Sequence, residues 1–279
     1  MKKIWIVLGI IVLIVAGIGF FAYQTVASTS TQKSILFVEG DVQVDLGNGW
    51  VKADNNMKLG EDDKIKTGNG KATVIFYESV IINVEENSEI SVSELSKKSV
   101  AIEQSSGTTW SKFANIIGIG SYQVTTPNTV ATVRGTSFLV GMNKIIVGEG
   151  TVKVEASGKT FDVTAGTKIE EVDGSYKETE MTEEEKQQMN ELMKESLTTL
   201  KYLRNKEIEF QKGKIVVQEA LKKYSVTDQQ IKEFFDELDN GKQNVEDVVA
   251  KSPVQTEAVK KIAELTKDIA EINKILQNE

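Results

Sequence analysis

The chain reads as a multidomain α and β protein in which an all-β module precedes an α-helical one. Three observations predict this. Apolar and polar residues alternate, with β-branched residues abundant, from about residue 34 to 178. From Glu178 the composition shifts to Glu, Lys, Gln and Leu, and apolar residues recur three and four apart. An uncharged apolar run, Ile4 to Tyr23, stands before both. The expected organisation is 1–27 cytoplasmic stub and transmembrane anchor, 28–33 linker, 34–178 β-module and 179–279 helical domain. With 279 residues, 40% hydrophobic and 27% charged, the chain is long enough for two ordinary globular domains.

The apolar run follows Lys2 and Lys3 and is about 20 residues long, enough for a helix to span roughly 30 Å of hydrocarbon. A cleaved signal peptide is the competing reading, because Val26 to Ser28 is a tolerable cleavage site. Its apolar region would normally be only ~7–15 residues long, so an uncleaved single-pass anchor is the better expectation. The two lysines then place the N-terminus in the cytoplasm and the bulk of the chain outside.

Strands are expected at "SILFVEGDVQVDLG", "GKATVIFYE", "SVIINVEE", "SEISVSEL" and "SVAIEQ", between turns rich in Gly, Asn and Asp. The candidate turns are Gly47–Gly49, Gly68–Gly70 and Asp173-Gly174, where glycine supplies positive φ. An internal echo relates "EGDVQV" (Glu39 to Val44) to "EGTVKV" (Glu149 to Val154). Each is followed by a turn, a further strand and then "DDKIK" or "GTKIE". Two related units would pack as halves of a sandwich or as coils of a short β-solenoid.

In the helical part, Thr182 with Glu185 forms a capping box, and Met189, Leu192, Met193, Leu200 and Leu203 share one face. Thr227 caps a second helix with Gln230 reaching back, and Asn240-Gly241 stops it. Ser252-Pro253 opens the last helix. Its stripe Ala258, Ile262, Leu265, Ile269, Ile272 and Leu276 suits the core of a small bundle better than a coiled coil, being under three heptads long.

Composition removes several chemistries. A net charge of −8 without a basic cluster argues against nucleic acid as a partner. With no histidine and no cysteine, the usual zinc sites, thiol nucleophiles, Ser-His-Asp triads and disulfides are excluded. "SGKT" at Ser157 to Thr160 lacks the first glycine of a phosphate loop, Lys153 standing there, and a strand follows it. "GIG" at Gly118 to Gly120 lacks the third glycine of a dinucleotide fingerprint and reads as a loop. "DNNMKLGEDD", Asp54 to Asp63, clusters oxygens as calcium requires, but Met57 and Lys58 interrupt it and a solvated acidic turn fits better. Glu85 and Glu86 are adjacent in an expected strand and point apart, so they cannot flank a scissile bond together. Trp50 and Trp110 offer faces for stacking on a sugar, although core packing is the commoner use of tryptophan in a β-module. No catalytic, cofactor or metal residue is assigned.

The β-module resembles the FecR domain of bacterial transmembrane regulators and other exported proteins. The matching segments, over residues 34–170, are "EGDVQV" with Trp50, "LGEDDKIKTGNGKATVIFYES", "NSEISVSEL", "GTTW" (Gly107 to Trp110), "YQVTTPNTVATVRGTSFLV", "VGEGTVKV" and "VTAGTKI". The resemblance implies structural signature positions at Asp63, Thr67, Thr126, Pro127, Arg134, Gly135, Thr136 and Phe138. Two departures stand out. Asp62 occupies a turn position where the family has glycine, and Asp tolerates positive φ better than most residues. Glu78-Ser79-Val80 replaces the usual Asp-Gly-Ser, so that hairpin is expected to differ in shape.

FecR-type regulators of sigma factors carry a cytoplasmic segment before the membrane helix, whereas only Met1 to Lys3 precede it here. The expectation is therefore a membrane-anchored extracytoplasmic binding or scaffold module for a protein or cell-wall partner. Single-pass transmembrane signalling is the alternative, and a carboxylate enzyme acting on a surface glycan is a third. Only two of the 33 basic residues are arginine, Arg134 and Arg204. Arg134 lies in an apolar Thr-rich run, where a guanidinium can hold a planar fork that an ammonium cannot. Its expected partners are Asp63 or the carbonyls of the Thr125-Thr126-Pro127 bend; an outward anion site is the other reading.

Overall fold

A computed structural model describes residues 31–114, 116, 119–133, 135–251 and 256–277, with Val216 described through its backbone only. They form two units, Thr31–Met193 and Lys194–Glu279. The expected membrane stretch lies outside the described residues, as does Arg134. Among the described residues no helix is long and apolar enough to cross a membrane.

The first unit is mostly β. Its strands are β1 (Ser34–Asp45), β2 (Trp50–Lys52), β3 (Lys64–Phe76), β4 (Val80–Val84), β5 (Glu89–Leu95), β6 (Ser99–Ser106), β7 (Thr109–Phe113), β8 (Ser121–Thr125), β9 (Thr129–Val133), β10 (Ser137–Val140), β11 (Lys144–Glu149), β12 (Thr151–Ala156), β13 (Lys159–Thr164), β14 (Thr167–Val172) and β15 (Ser175–Glu180). All belong to one hydrogen-bonded sheet. Among the described residues β6 and β8 form the single parallel ladder. A solenoid would stack its coils in parallel, so that expectation is corrected.

The sheet turns back on itself at two glycine corners and nearly closes into a barrel-like wall. At the first corner β1 and β3 pair along their lengths, and Gly40 stands opposite Gly70 with a bulge beside it. A Cβ on Gly40 would stand 2.6 Å from Asn69 O, and one on Gly70 2.4 Å from Glu39 O. Such a crossing admits only glycine. Residues on one side of the bend pair onward through β4, β7 and β10, and those on the other through β5, β6, β8 and β9. The second corner comes where β9 gives way to β10 through Gly135 and Thr136, and β11 to β12 through Gly150. A Cβ on Gly150 would meet Thr136 Cγ2 at 2.7 Å and Gly135 O at 2.8 Å. The echo now has a physical meaning. Gly40 and Gly150 are its second residues, with φ of 73° and 78°; Gly40 bends β1 and Gly150 links β11 to β12, each at a corner of the same sheet.

Gly68–Gly70 is thus not a hairpin turn; it lies inside β3, where small residues permit the crossing. The other glycine signals hold. Gly47–Gly49 joins β1 to β2, with Asp45 Oδ1 accepting from the amides of Gly47 and Gly49 at 2.9 Å each. Asp173-Gly174, with φ of 54° and 74°, joins β14 to β15. Ser157-Gly158 joins β12 to β13, so "SGKT" forms a hairpin rather than a phosphate loop. Asp62 has φ of 67°, as its place in a glycine position implied. The β3–β4 turn holds both Tyr77 and Glu78 at positive φ, 49° and 55°. The amide of Tyr77 donates to Lys33 O at 3.1 Å and Glu78 Oε1 accepts from Gln32 N at 3.3 Å, which braces that strained turn.

Alternation sorts the side chains into an inner and an outer set. The inner set, including Leu36, Val74, Ile82, Phe113, Tyr122, Val124, Phe138, Val147 and Val152, forms one core. Outer residues of β4, β7, β10 and β11 are buried too: Ile81, Trp110, Leu139 and Ile146. These strands are therefore buried on both faces, and β4, β7 and β10 are buried at every residue, the polar Asn83, Ser111, Lys112 and Ser137 included.

The first helix, α1 (Glu183–Lys212), starts in this unit and continues into the second. The second unit adds α2 (Ile215–Lys223), α3 (Asp228–Asp239), α4 (Val245–Ala250) and α5 (Glu257–Gln277). The Thr227–Gln230 capping box is present, and Gly241 has φ of 67° after the C-cap Asn240. Ser252-Pro253 lies outside the described residues, and α5 takes its cap from Thr256, whose Oγ1 accepts from Val259 N at 3.2 Å.

Gly150→Ala should cost about 2–4 kcal/mol in urea unfolding, because it adds a backbone clash to an unfavourable φ. Gly158→Ala, with φ of 72° but open space around it, should cost only about 1 kcal/mol. Equal losses at the two positions would refute the corner argument.

Candidate functional site

The signature positions divide among four places rather than converging on one. Asp63 closes a turn at the start of β3, its Oδ2 accepting from Gly60 N at 2.6 Å. Thr67 is buried in a polar plug at one end of the core. Its hydroxyl donates to Glu85 O at 2.6 Å and accepts from Ser88 N at 2.9 Å. Ser88 Oγ in turn accepts from Thr108 N at 2.9 Å. Gln104 completes the plug, donating to Gly107 O and Val140 O and accepting from Thr109 Oγ1. These bonds satisfy backbone groups left over where the strands diverge.

Thr126 and Pro127 form the β8–β9 turn. Thr126 Oγ1 accepts from Asn128 N at 3.2 Å and Thr129 N at 3.0 Å, while Pro127 is exposed. Gly135, Thr136 and Phe138 belong to the second corner. Gly135 has φ of 68°, and Phe138 packs against Tyr122 with ring centroids 5.9 Å apart. Tyr122 is fully buried, and burial raises its phenol pKa although the bond to Ser111 Oγ at 2.9 Å works the other way. Beside this corner Lys112, itself buried, meets Glu149 Oε2 at 2.8 Å, and Ser137 Oγ donates to the same oxygen at 2.9 Å. Asp63 and the Thr126 turn are each occupied by local backbone amides. The partner expected for Arg134 concerns a residue outside the described ones.

The remaining sequence candidates resolve individually. Oxygens of Asp54–Asp63 turn to separate amides: Asn55 to Val38, Glu61 to Leu95 and Asp63 to Gly60. They form structural brackets rather than a cation cage. Glu85 and Glu86 follow β4 in a turn instead of lying in a strand, and Glu85 pairs with Lys71 at 2.6 Å. Trp110 is core, whereas Trp50 is 39% exposed. Core packing was the wrong expectation for Trp50, because register puts it on the outer face of the sheet, in line with Asp45 and Lys64, while Val44 and Ile65 take the inner face.

Two charged clusters escaped the sequence reading. The first joins the opening turns of α1 to the sheet. Glu185 Oε1 accepts from Lys144 of β11 at 3.0 Å and from Lys168 of β14 at 3.2 Å, and Lys168 also meets Glu170 at 3.0 Å. Glu185 Oε2 caps Thr182 N at 3.0 Å, so one carboxylate closes the helix start and grips two strands. A Cβ at Gly148 would meet Met189 Sδ at 2.6 Å and Met193 Cε at 2.7 Å; its absence lets the helix lie close to β11. Burial alone would raise the Glu185 pKa, but the Thr182 amide and the two ammoniums outweigh it and hold it at about 2. Burial opposes the charge on Lys168, yet Glu170 and Glu185 outweigh it and raise its pKa.

The second cluster is in the helical unit. Arg204 forms a two-pronged pair with Asp239, at 2.5 and 2.9 Å, lies 4.6 Å from the centroid of the Phe235 ring, and reaches Thr266 Oγ1 at 3.4 Å. Three residues further along α1, Glu207 pairs with Lys261 of α5 at 2.7 Å, both fully buried. The rarity of arginine, which singled out Arg134, would equally have pointed to Arg204.

Because the Glu185 pKa is depressed on folding, its contribution is present above about pH 4.5 and lost as pH falls toward 2. Glu185→Gln should cost roughly 2–3 kcal/mol near neutrality and flatten thermal stability across that window. Arg204→Lys should cost about 2–4 kcal/mol in chemical unfolding, since an ammonium cannot keep both prongs and the ring contact. A variant as stable as the parent would show the pair to be dispensable.

Comparison with known proteins agrees with the motif reading. Residues 63–154 match the model of the FecR protein family. No curated protein matches. Two crystal structures of a proposed anti-sigma factor from Parabacteroides distasonis ATCC 8503 align in part. One is 15% identical with a TM-score of 0.38, covering 42% of this chain and 59% of that one. The other is 14% identical with a TM-score of 0.41, covering 47% and 64%. Both alignments take in less than two-thirds of the anti-sigma factor. The plug, the second corner and Gly70 of the first corner fall within the matched stretch, and residues 63–154 of the β-unit are similar to the FecR protein family.

Proposed function

We propose that the protein is a membrane-anchored extracytoplasmic binding or scaffold module for a protein or cell-wall partner. The observation that carries this reading is the contrast between the two outer faces of the sheet. Across β4, β7, β10 and β11 the outer face is buried, with Ile81, Trp110, Leu139 and Ile146 packed around the paired Lys112 and Glu149. Across β1–β3, β5, β6, β8, β9, β12 and β13 register puts polar residues outward, among them Gln43, Lys64, Glu103, Gln123, Thr132 and Lys153. A rigid open face of this kind, on a domain without histidine or cysteine chemistry, suits binding better than catalysis. The apolar run Ile4 to Tyr23 supports the anchor, with the N-terminus cytoplasmic and the bulk of the chain outside.

A regulatory role across the membrane is the second reading, favoured by the FecR family match. In it a protein partner binds the β-unit and the anchor contacts another membrane protein. Replacing Ile4–Tyr23 by an unrelated membrane helix separates the two, because a pure tether survives the exchange and a signalling helix does not. The full chain with a C-terminal tag should stay with membranes after an alkaline wash, and protease added to intact spheroplasts should degrade the tag. A tag protected from protease would overturn the proposed topology.

A further inference from the structure

We propose that the outer face of the β1–β2–β3 ladder binds a carboxylated polysaccharide, with Trp50 as the stacking surface and Lys52, Lys64 and Lys66 as its cationic rim. The proposal deepens the binding-module reading and rests on it. Backbone register fixes the arrangement: Trp50 stands opposite Asp45, which stands opposite Lys64, and Lys52 opposite Gln43, which stands opposite Lys66. Residues two apart share a face and strands are about 4.8 Å apart, so these six side chains form a two-by-three grid roughly 10 Å across.

The grid is open and its cations are unspent. Trp50 is 39% exposed, and Gln43, Lys52, Lys64 and Lys66 are exposed as well. Lys66 Nζ lies 6.0 Å from the Trp50 ring centroid. Among the described residues the three lysines form no ion pair, while many other lysines of the chain do. The one acid in the grid, Asp45, is held by the Gly47 and Gly49 amides of the turn. Glu89, opposite Lys66 on β5, bounds the patch on its far side. In a chain of net charge −8, this is a local reversal of sign around an exposed aromatic ring.

The chemistry favours a sugar acid over an apolar protein surface. Exposed Val51 follows Trp50 on the opposite face and exposed Leu46 lies in the β1–β2 turn, so on its own face the indole is bordered by Asp45, Lys52 and Lys64 rather than by apolar strand residues. A pyranose ring offers C–H bonds to the indole face, hydroxyls to the Gln43 amide and carboxylates to the lysines. Flexible ammoniums suit a repeating anion whose spacing varies, where a fixed guanidinium fork would suit one rigid carboxylate.

The test titrates the full chain, held in a mild non-ionic detergent, with polygalacturonate by calorimetry and indole fluorescence. Neutral dextran should not bind. Trp50→Ala should weaken binding about tenfold or more, and Lys64→Ala and Lys66→Ala about three- to tenfold each, with affinity falling as salt rises. A parental midpoint of urea unfolding, followed by far-UV circular dichroism, checks that the variants are folded. Binding that ignores Trp50→Ala, equal binding of polyglutamate, or equal binding of anionic phospholipid vesicles would overturn the proposal. Capture of a cell-envelope partner by the Trp50→Ala chain at parental level would overturn this site while leaving the binding-module reading intact. If the parent chain captured no such partner and bound no polygalacturonate, that reading would fall too.

Discussion

The β-unit depends on two places where backbones cross too closely for any side chain. At Gly40–Gly70 and at Gly150 beside Thr136, an added Cβ would sit within 3 Å of main-chain or buried atoms. A strongly twisted sheet of many strands must curl, split or flatten, and these crossings determine where this one curls. Because the two corners lie on opposite sides of the wall, the inner residues of both halves face one another and share one core. Without the bends the alternating pattern would still make strands, but their apolar faces would have nothing to bury against.

Closing the wall this way leaves two outer faces with different fates. One is buried, mixing apolar side chains with the paired Lys112 and Glu149, and the first turns of α1 lie along β11 on that side. There the Glu185 carboxylate supplies what packing alone cannot, a fixed register between a helix and two strands. A buried pair of this kind contributes little net stability relative to an apolar substitute, but it is costly to break and permits few alternative dockings. The other outer face remains polar. Its in-register rows of Lys, Glu, Gln and Thr keep a broad sheet soluble while presenting a flat, stiff surface for recognition.

The helical unit uses charge in its interior in the same sense. Arg204–Asp239 and Lys261–Glu207 lie between helices whose apolar stripes would tolerate sliding by a turn. Each pair is satisfied in one alignment of α1 with its neighbours. Here a chain built almost wholly on lysine uses one of its two guanidiniums: the site demands a planar fork under a phenylalanine ring, and an ammonium cannot provide it.

The sequence by itself determined whatever is local. The strands at Ser34–Asp45 and Val80–Val84, the Gly47–Gly49 and Asp173-Gly174 turns, the positive φ of Asp62, and the caps at Thr182, Thr227 and Asn240 all follow from interactions spanning a few residues. The FecR signature was legible for the same reason, since glycines, threonines and prolines at fixed offsets record turn geometry. Tertiary structure decided what depends on distant partners. Gly68–Gly70 has the composition of a hairpin turn and becomes a mid-strand crossing because Gly40, far away in the chain, must pass against it. Trp50 and Trp110 sit in similar β patterns, yet one is core and the other surface, because burial depends on where each strand falls relative to the closed wall. Glu185 looked like half of a capping box; its second role appeared only when folding brought Lys144 and Lys168 from two other strands within reach. Pairing across a sheet or between helices is a long-range property, and alternation along one strand carries no record of which strand will lie beside it.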